Sequence, residues 1–508
     1  MTITRRSVLA ATAGAGVMSA IGWDSAQAQA GVRTRYGAAT PRGKQMLVQY
    51  AKAVGLMMDN SKFPRTDPRS WDFQWYTHWI PGPQQPWSAV VQAKQNMLNQ
   101  VFAGKPPNDP NRLLAQAMWD DCQAHGNNTN DPNFFQEMYF CVWHRWYVYY
   151  FEEIIRGVLQ NPAFTLPYWN YLSGDVKDLS IPPEFLVQNS PLFRSNRNPW
   201  VNAGERIDKN NPGVLNLNCF NETIYIDSPD GGIGFCPIID NNPHGQVHGL
   251  VGNLTNMGRV PTAAGDPIFW LHHCNIDRLW ESWNRIPGRN NPAWPNRRFP
   301  FADANGKAVT VLPKDANRVA QLKYQYDFYY VPPKKPAPLP LGAPSAALAA
   351  AAVTKVTRAA AEGEVTLASE RVRVELTPPP SPTAGLTAAT PRPIAPSGPS
   401  NRLYLVLAGI VAAPDDDSTY NVFLDLPEGQ GNPPTSDPHY VGTLNFFNAA
   451  GHEEHGAAGH KTTFNVTDTV KALQAKSQPS AKPSVTLVRR GDAKGANPIV
   501  RQIYLMES

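Results

Sequence analysis

Histidine is the residue type in this sequence whose placement could do chemistry. His244 and His248 are four residues apart, which on a helix places both imidazoles on one face, within reach of one metal ion. Helical histidine pairs without a ligand role are also common, and Gly245 stands where a zinc protease motif needs its glutamate. Seven histidines fall in the N-terminal part of the chain: His78, His125, His144, His244, His248, His272 and His273.

The doublet of His272 and His273 adds a second pattern. It follows Asp266, a good N-cap residue, and Pro267, which is tolerated at the first helical position, so we predict a helix over residues 268–285. Adjacent residues on a helix point about 100° apart. One histidine can therefore bind a metal while the other packs or hydrogen-bonds behind it.

His144 lies on another predicted helix, residues 143–155, with apolar residues on the same face. Six histidines in two groups of three point to two metal ions. Sites made of neutral imidazole alone favour copper or catalytic zinc. The C-terminal part holds the other four histidines, the last three of them in a predicted solvated loop: His439, His452, His455 and His460.

The composition indicates a globular protein, with 42% hydrophobic and 17% charged residues. The net charge of +5 is spread without long basic runs, so the sequence does not indicate a nucleic-acid partner. Arg5 and Arg6 precede a mild apolar run and a small-residue cleavage site, and residues 1–30 are predicted to be a twin-arginine signal peptide for export. No later segment has the ~18 uninterrupted apolar residues of a membrane span.

Five cysteines are present, an odd number that leaves at least one of them unpaired in an exported protein. Cys219 and Cys236 flank a loop rich in glycine and aspartate and are the candidates for a disulfide. Nothing in the sequence indicates an oligomeric state.

The elements that must position the histidines lie in residues 31–330, which are predicted to form one domain of helices joined by long loops. Residues 331–362 are rich in proline, alanine and lysine and are predicted to be a linker. Residues 363–508 are predicted to form a small β-sandwich with a flexible loop at 377–400. Its predicted strands, besides the alternating segment 371–376, are residues 402–410, 420–424, 440–447, 484–489 and 500–505.

These segments resemble the type 3 dicopper polyphenol oxidases, the family of tyrosinases and catechol oxidases, and especially the plant enzymes with a C-terminal domain. The resemblance implies a mainly α catalytic domain, in which a four-helix bundle holds two copper ions, followed by a small β-sandwich domain. It implies that a small phenol and O2 are the substrates and that o-diphenols are oxidised to o-quinones. Whether monophenols are also o-hydroxylated is left open by the resemblance. Five segments carry this resemblance, in the family's order: residues 67–78, 122–125, 143–147 followed by 149–152, 240–248 and 266–280.

Position by position, the resemblance implies one copper-binding group of His78, His125 and His144. The second group is His244, His248 and His273, because the family's ligand is the second histidine of the doublet. His272 then supports the site from behind. Tyr324 and Tyr326, together with Arg35, resemble a motif that closes the family's catalytic domain.

Three further positions bear on the reaction. Asp240 matches a carboxylate that holds a water molecule near the metal. Gly245 replaces an asparagine of many tyrosinases, which argues against monophenol hydroxylation. Val260 stands where plant enzymes carry a bulky phenylalanine, and the smaller side chain argues for a wider entrance, so monophenol hydroxylation stays open.

The copper-A segment departs from the family pattern. The spacing from His125 to His144 is longer than in the family, which predicts an insertion around residues 126–133; the alternative is a broken first site. Cys122 stands three residues before His125, where a thioether to that histidine is an open question.

Other functions share parts of this pattern. An o-aminophenol oxidase or a haemocyanin-like O2 carrier would use the same ligands. A di-zinc hydrolase is another alternative, but the sequence places no carboxylate beside these histidines that could bridge two zinc ions or act as a base. The resemblance and the linker together also predict that the C-terminal domain shields the metal site until the linker is cut.

Overall fold

The computed structural model describes most of the chain. Residues 1–30, His125, the predicted insertion, most of the predicted linker and His452 and His455 lie outside the described residues. The described residues are 31–78, 96, 98–124, 139–228, 232–253, 255–294, 296–333, 356–378, 396, 401–413, 418–447, 460–476, 483–491 and 497–507.

The N-terminal part is mainly helical, as predicted. Its α-helices are α1 (Pro41–Met57), α2 (Trp71–Tyr76), α3 (Pro110–Ala124), α4 (Phe140–Leu159), α5 (Pro199–Asn202), α6 (Phe235–Ile239), α7 (Gln246–Val251), α8 (Val260–Ala263) and α9 (Ile268–Asn284). Short 3-10 turns cover Val176–Leu179, Pro183–Phe185, Asn218–Asn221, Pro313–Ala316 and Val319–Leu322. No helix in the described part of the chain is long and apolar enough to cross a membrane.

Local sequence sets where these helices begin. Thr40 accepts a hydrogen bond from the backbone N–H of Gly43, and Ser70 accepts one from Phe73, so both α1 and α2 have N-caps. Asp266 was predicted to cap α9 with Pro267 as its first residue, but α9 begins at Ile268 and Pro267 takes the cap position. The side chain of Asp266 still accepts from the N–H of Ile268 at 3.1 Å. α4 packs against α1 and α9. The arrangement of four helices as one bundle stays a prediction.

A buried ionic cluster joins the two ends of this domain. β1 (Arg33–Arg35) and β4 (Tyr324–Tyr326) are parallel neighbours, with Arg35 opposite Tyr326. Arg35 donates to Tyr326 at 3.0 Å and to Glu152 of α4 at 2.9 Å. Asp277 of α9 accepts from both tyrosine hydroxyls, at 2.5 and 2.6 Å. The predicted link between Arg35 and the two tyrosines is confirmed, and it ties the chain termini of the domain to the helices.

The C-terminal part is a sandwich of two antiparallel sheets whose inner faces share one apolar core. Near the domain boundary, β2 (Phe299–Ala302) and β3 (Ala308–Val311) form a separate hairpin. One sheet runs β10 (Tyr440–Asn445), β9 (Thr419–Leu424), β12 (Ser484–Arg490), β7 (Arg371–Glu375). The other runs β11 (His460–Asn465), β8 (Leu403–Val411), β13 (Ile499–Glu507), β5 (Val356–Ala360), with β6 (Val365–Thr366) beside β13.

Six strands agree with the prediction within a few residues, and other elements, among them the unpredicted β6, correct or extend it. β5 lies inside the predicted linker 331–362, so the end of that linker was wrong. β5 pairs with the last strand of the chain, and such a long-range partner is invisible to local composition. His460 was predicted to lie in a loop but begins β11, and helix α10 (Thr467–Lys476) was not predicted.

Candidate metal centre

The first histidine pair joins the end of α2 to α4. His78 and His144 are each 3% exposed, and their Nε2 atoms are 3.3 Å apart. Nδ1 of His78 donates to the carbonyl oxygen of Val260 at 3.0 Å, and Nδ1 of His144 donates to that of Phe140 at 2.9 Å. Because a carbonyl only accepts, each Nδ1 carries the proton and each Nε2 keeps the lone pair that a metal ion needs.

The second pair is built by the H-x-x-x-H segment. His244 lies on a wide helical turn, Asp240–Gly245, whose regular geometry is interrupted at Asn242, and His248 lies on α7. The two Nε2 atoms are 3.0 Å apart. Nδ1 of His248 donates to the carbonyl oxygen of Met257 at 2.9 Å. Nδ1 of His244 faces the carbonyl oxygen and the carboxylate of Asp240, at 3.1 and 2.8 Å. Both histidines therefore present Nε2 to one point.

The doublet of α9 completes this second group. One ring nitrogen from each of His244, His248, His272 and His273 lies within 4.8 Å of the others, and all four residues are buried. We call these four residues the histidine cluster. Neither ring nitrogen of His273 has a hydrogen-bond partner, and Nε2 of His272 has none either, whereas Nδ1 of His272 lies 3.1 Å from the hydroxyl of Tyr171. A buried nitrogen without a partner is rare in proteins and fits a metal ligand.

Burial also affects the protonation of three rings of the histidine cluster. It lowers the pKa of His248, His272 and His273 well below the usual histidine value, and the neighbouring imidazoles add to the effect. These rings are therefore neutral near pH 7, which is the form that binds a metal ion.

The first pair and the histidine cluster lie side by side. The rings of His144 and His273 stack with centroids 4.3 Å apart, and His78 lies 6.4 Å from His273. Phe140 contacts His144 and His244 at 4.9 and 4.5 Å between centroids. Five of the six predicted ligands are thus brought together in one centre, and the sixth, His125, lies outside the described residues.

The other predicted site residues take the following places. Asp240 is buried and contacts His244 rather than open solvent. Val260 contributes its backbone carbonyl to His78, a role that its side chain did not indicate. A Cβ atom on Gly245 would lie 3.1 Å from the side-chain oxygen of Asn445, so the missing side chain leaves room for the C-terminal domain. Cys122 is buried in α3.

The C-terminal domain covers the histidine cluster with an aromatic ring. Phe447, two residues beyond β10, stacks on His248 with centroids 4.1 Å apart and planes 13° apart. Its edge faces His244 at 5.6 Å. Asn445 donates to the side-chain oxygen of Asn241 at 3.0 Å and accepts from the N–H of Phe447 at 3.1 Å, which fixes the segment. Sequence reasoning missed Phe447 because no local pattern separates it from other apolar residues of the sandwich.

The disulfide candidate Cys219–Cys236 is wrong in the structure. All five cysteines are buried, and none of them forms a disulfide. The sulfur of Cys236 instead lies 3.6 Å from that of Cys141, on α4. The loop between residues 219 and 236 suggested a local pair, whereas the sulfur that contacts Cys236 belongs to a residue 95 positions away in sequence.

The chain is similar in sequence to two family models and to known tyrosinases and polyphenol oxidases. The family model described as the common central domain of tyrosinase matches residues 68–214 and 217–286, and a domain of unknown function matches residues 355–502. A tyrosinase from Hahella sp. is 34% identical over 309 residues, 54% of this chain and 59% of that protein. A chloroplastic polyphenol oxidase from Vicia faba is 28% identical over 289 residues, 49% of this chain and 47% of that protein.

The likeness extends to the fold of both domains. The solved structure of a recombinantly expressed latent aurone synthase, a polyphenol oxidase, matches with a TM-score of 0.59 at 22% identity, over 93% of this chain and 88% of that one. By sequence, this chain spans 59% of the length of the bacterial relative and about half that of the plant relative.

Proposed function

The chain belongs to the tyrosinase family of type 3 dicopper polyphenol oxidases, and from this membership we propose that it oxidises o-diphenols to o-quinones with O2 at a two-copper centre. The observation that carries the proposal is the pair of facing Nε2 contacts, 3.3 Å between His78 and His144 and 3.0 Å between His244 and His248. Each contact presents two lone pairs to one point, beside the unpartnered ring of His273.

The residues present fit copper. Among the described residues the only metal-binding group consists of histidines, and neutral imidazole nitrogen is a ligand type that copper accepts readily. We propose His78, His125 and His144 as ligands of one ion and His244, His248 and His273 as ligands of the other. A bound copper pair supplies the redox chemistry by which two o-diphenols and one O2 become two o-quinones and two waters.

The protein's own groups hold the ligands and exclude water. The carbonyl oxygens of Val260, Phe140 and Met257 each fix one imidazole in the tautomer that leaves Nε2 free. Burial lowers the pKa of His248 and His273, so protons compete less for these two proposed ligands. A ring fixed before the metal arrives does not need to be reordered when it binds.

We further propose that diphenol oxidation dominates over monophenol hydroxylation. The carboxylate of Asp240 faces Nδ1 of His244 at 2.8 Å, so it serves to orient that imidazole. At Gly245 the space for a side chain is taken by Asn445. Neither position then offers a polar group to a phenol that must lose its proton. Fully copper-loaded enzyme that oxidised a simple monophenol after a lag, at a rate close to that for catechol, would contradict this.

We also propose that the intact chain is latent, because Phe447 of the C-terminal domain lies on His248. A substrate ring approaching the histidine cluster from this side would meet the phenylalanine first. Export by the twin-arginine route is proposed from residues 1–30 and is tested by replacing Arg5 and Arg6 with lysine and following the protein's location.

The decisive experiment titrates copper into metal-free protein while catechol oxidation is followed. The proposal expects activity to appear as copper approaches two ions per chain, and to be lost in His273→Ala. His439→Ala is the matched control, because that histidine bonds the carbonyl of Leu424 outside the centre. One copper per chain without turnover would overturn the proposal, and two coppers with O2 binding but no turnover of catechol or an o-aminophenol would favour an O2 carrier.

A further inference from the structure

Two buried thiols lie next to each other, one on the helix that carries His144 and the other on the short helix that precedes the turn carrying His244. Cys141 is on α4 and Cys236 is on α6, and their side chains are 2% and 0% exposed. Their sulfur atoms are 3.6 Å apart, although the residues are 95 positions apart in sequence. The hydroxyl of Tyr225 lies within hydrogen-bonding reach of both sulfurs.

Their position relates directly to the metal centre. Cys141 stands one helical turn before His144, and Cys236 stands four residues before Asp240, where the turn that carries His244 begins. A covalent bond between the two sulfurs would therefore link a proposed ligand of the first copper to a proposed ligand of the second. This link would hold the two halves of the centre at a fixed separation whether or not metal is bound.

We propose that Cys141 and Cys236 form a disulfide in the mature, exported protein. A disulfide has an S–S length of about 2.05 Å, so the sulfurs must approach by about 1.6 Å, which is less than 1 Å of movement for each. An exported protein meets an oxidising environment, where such bonds form and persist.

The reaction balances with dioxygen as the oxidant. The two thiols lose two protons and two electrons, one S–S bond forms, and O2 is reduced to hydrogen peroxide. A small apolar molecule can reach a buried pair that larger thiol reagents do not. Burial raises the pKa of the Cys236 thiol, so few thiolate groups exist in the folded state. The reduced pair would then resist alkylation until the protein unfolds.

Peptide mapping tests the bond without using activity or copper. The full-length exported protein is unfolded in denaturant with an alkylating agent and no reductant, then digested and analysed by mass spectrometry. The proposal expects one cross-linked peptide pair that contains Cys141 and Cys236, with Cys219 and Cys274 alkylated. Reduction before alkylation serves as the control and should leave all four alkylated. Free, alkylated Cys141 and Cys236 in the unreduced sample, or a bond from Cys236 to Cys219, would overturn it.

Thermal unfolding of the metal-free protein provides a second, independent readout. Closing a loop of this length restricts the unfolded chain, so reductant should lower the Tm of the unmodified protein by roughly 5 °C. Cys236→Ala should lose this sensitivity to reductant, whereas the matched buried variant Cys219→Ala should keep it. An equal response of both variants would contradict the bond. Because neither readout depends on turnover, the result is distinguishable from a failure of the proposed oxidase function.

Discussion

At the residue scale, each imidazole of the first pair and of the H-x-x-x-H segment is oriented by an oxygen on its Nδ1 side. His244 differs from the others because it has two such oxygens, the carbonyl and the carboxylate of Asp240, at 3.1 and 2.8 Å. Hydrogen-bonded supports of metal ligands typically change metal affinity or activity by about 10–100-fold when they are removed. Asp240 is therefore interpreted as a positioning residue.

Replacement of Asp240 tests this role. We expect Asp240→Ala to lower kcat/KM for catechol by about 10–100-fold, because His244 loses its side-chain support. Asp240→Asn should keep most of the activity, since its amide oxygen can still accept from Nδ1. The matched control is Asp175→Asn, whose side chain caps a 3-10 turn elsewhere. If the asparagine variant were as impaired as the alanine variant, the carboxylate would act through its charge or as a base, and the positioning role would be wrong.

The doublet offers a second prediction at this scale. His273 has two unpartnered ring nitrogens, whereas His272 has one, Nε2, because its Nδ1 contacts the hydroxyl of Tyr171 at 3.1 Å. We expect metal analysis to find about one copper ion fewer per chain in His273→Ala, because a proposed ligand is removed. His272→Ala should retain its copper and lose part of its activity. The reverse order of copper loss would show that the first histidine of the doublet is the ligand.

At the element scale, strand ends carry conformations that local sequence only partly reveals. Asp425, directly after β9, has a left-handed backbone with φ of 52°, and its carboxylate accepts from the N–H of Ser484 at 2.7 Å. Burial raises the pKa of Asp425, although the hydrogen bond from Ser484 and the charges of His439 and Arg373 oppose this. The folded protein therefore binds this proton more tightly than the unfolded chain does.

The sign of the effect on stability follows from linkage. A carboxyl with a raised folded-state pKa favours folding most when it is protonated, and this contribution is lost as the pH rises from the unfolded value, about 3.9, through the folded value. Asparagine keeps the acceptor, tolerates the left-handed backbone and carries no charge. We expect Asp425→Asn to raise the Tm of the C-terminal domain at pH 7 and to lose that advantage near pH 4. Thermal unfolding at both pH values, with the exposed Asp315→Asn as control, checks this, and a lower Tm at pH 7 would contradict it.

At the scale of the whole molecule, the two domains meet through polar contacts as well as through Phe447. Glu222 accepts from Arg402 at 2.7 Å and from Tyr404 at 3.0 Å. Asn211 and Asn421 exchange hydrogen bonds at 2.8 and 3.0 Å. These contacts dock the sandwich beside the metal centre in a defined orientation, so that one aromatic ring can cover the histidine cluster.

If the C-terminal domain keeps the intact chain latent, removal of the Phe447 ring should raise the activity. An aromatic pair contributes about 0.5–1.5 kcal/mol beyond its buried area, and about 1.4 kcal/mol corresponds to a tenfold change. We expect Phe447→Ala to raise catechol turnover of the intact chain up to about tenfold, towards the rate of wild-type protein cut between residues 334 and 355. The adjacent Phe446→Leu, whose ring packs on Tyr420 in the sandwich, should leave the rate unchanged.

Two results would contradict the proposal that Phe447 shields the metal centre. One is an unchanged rate in both Phe447→Ala and the proteolysed protein. The other is a further tenfold gain on cutting Phe447→Ala, which would show that another part of the C-terminal domain blocks the centre. Copper content must be equal in all samples, because a change in loading would imitate a change in access.

The sequence by itself determined the parts of this protein that depend on local pattern. The four-residue spacing of His244 and His248 predicted that both face one point, and Asp266 and Pro267 predicted the start of α9 to within one residue. Alternation of apolar residues located β7, and short apolar segments between turn signals located five other strands of the sandwich. These features depend on local hydrogen bonds and on side-chain periodicity, and both are determined by residues that are neighbours in the sequence.

Only the tertiary structure decided which distant groups meet. The backbone carbonyls of Val260 and Met257 orient two imidazoles. No sequence pattern predicts these contacts, because every residue has a backbone carbonyl. Cys236 lies against Cys141 rather than Cys219, β5 pairs with the last strand, and Phe447 lies on His248, each through contacts between segments far apart in the chain. Such contacts depend on how whole elements pack to bury their apolar faces, which is a property of the folded molecule and not of any short stretch of its sequence.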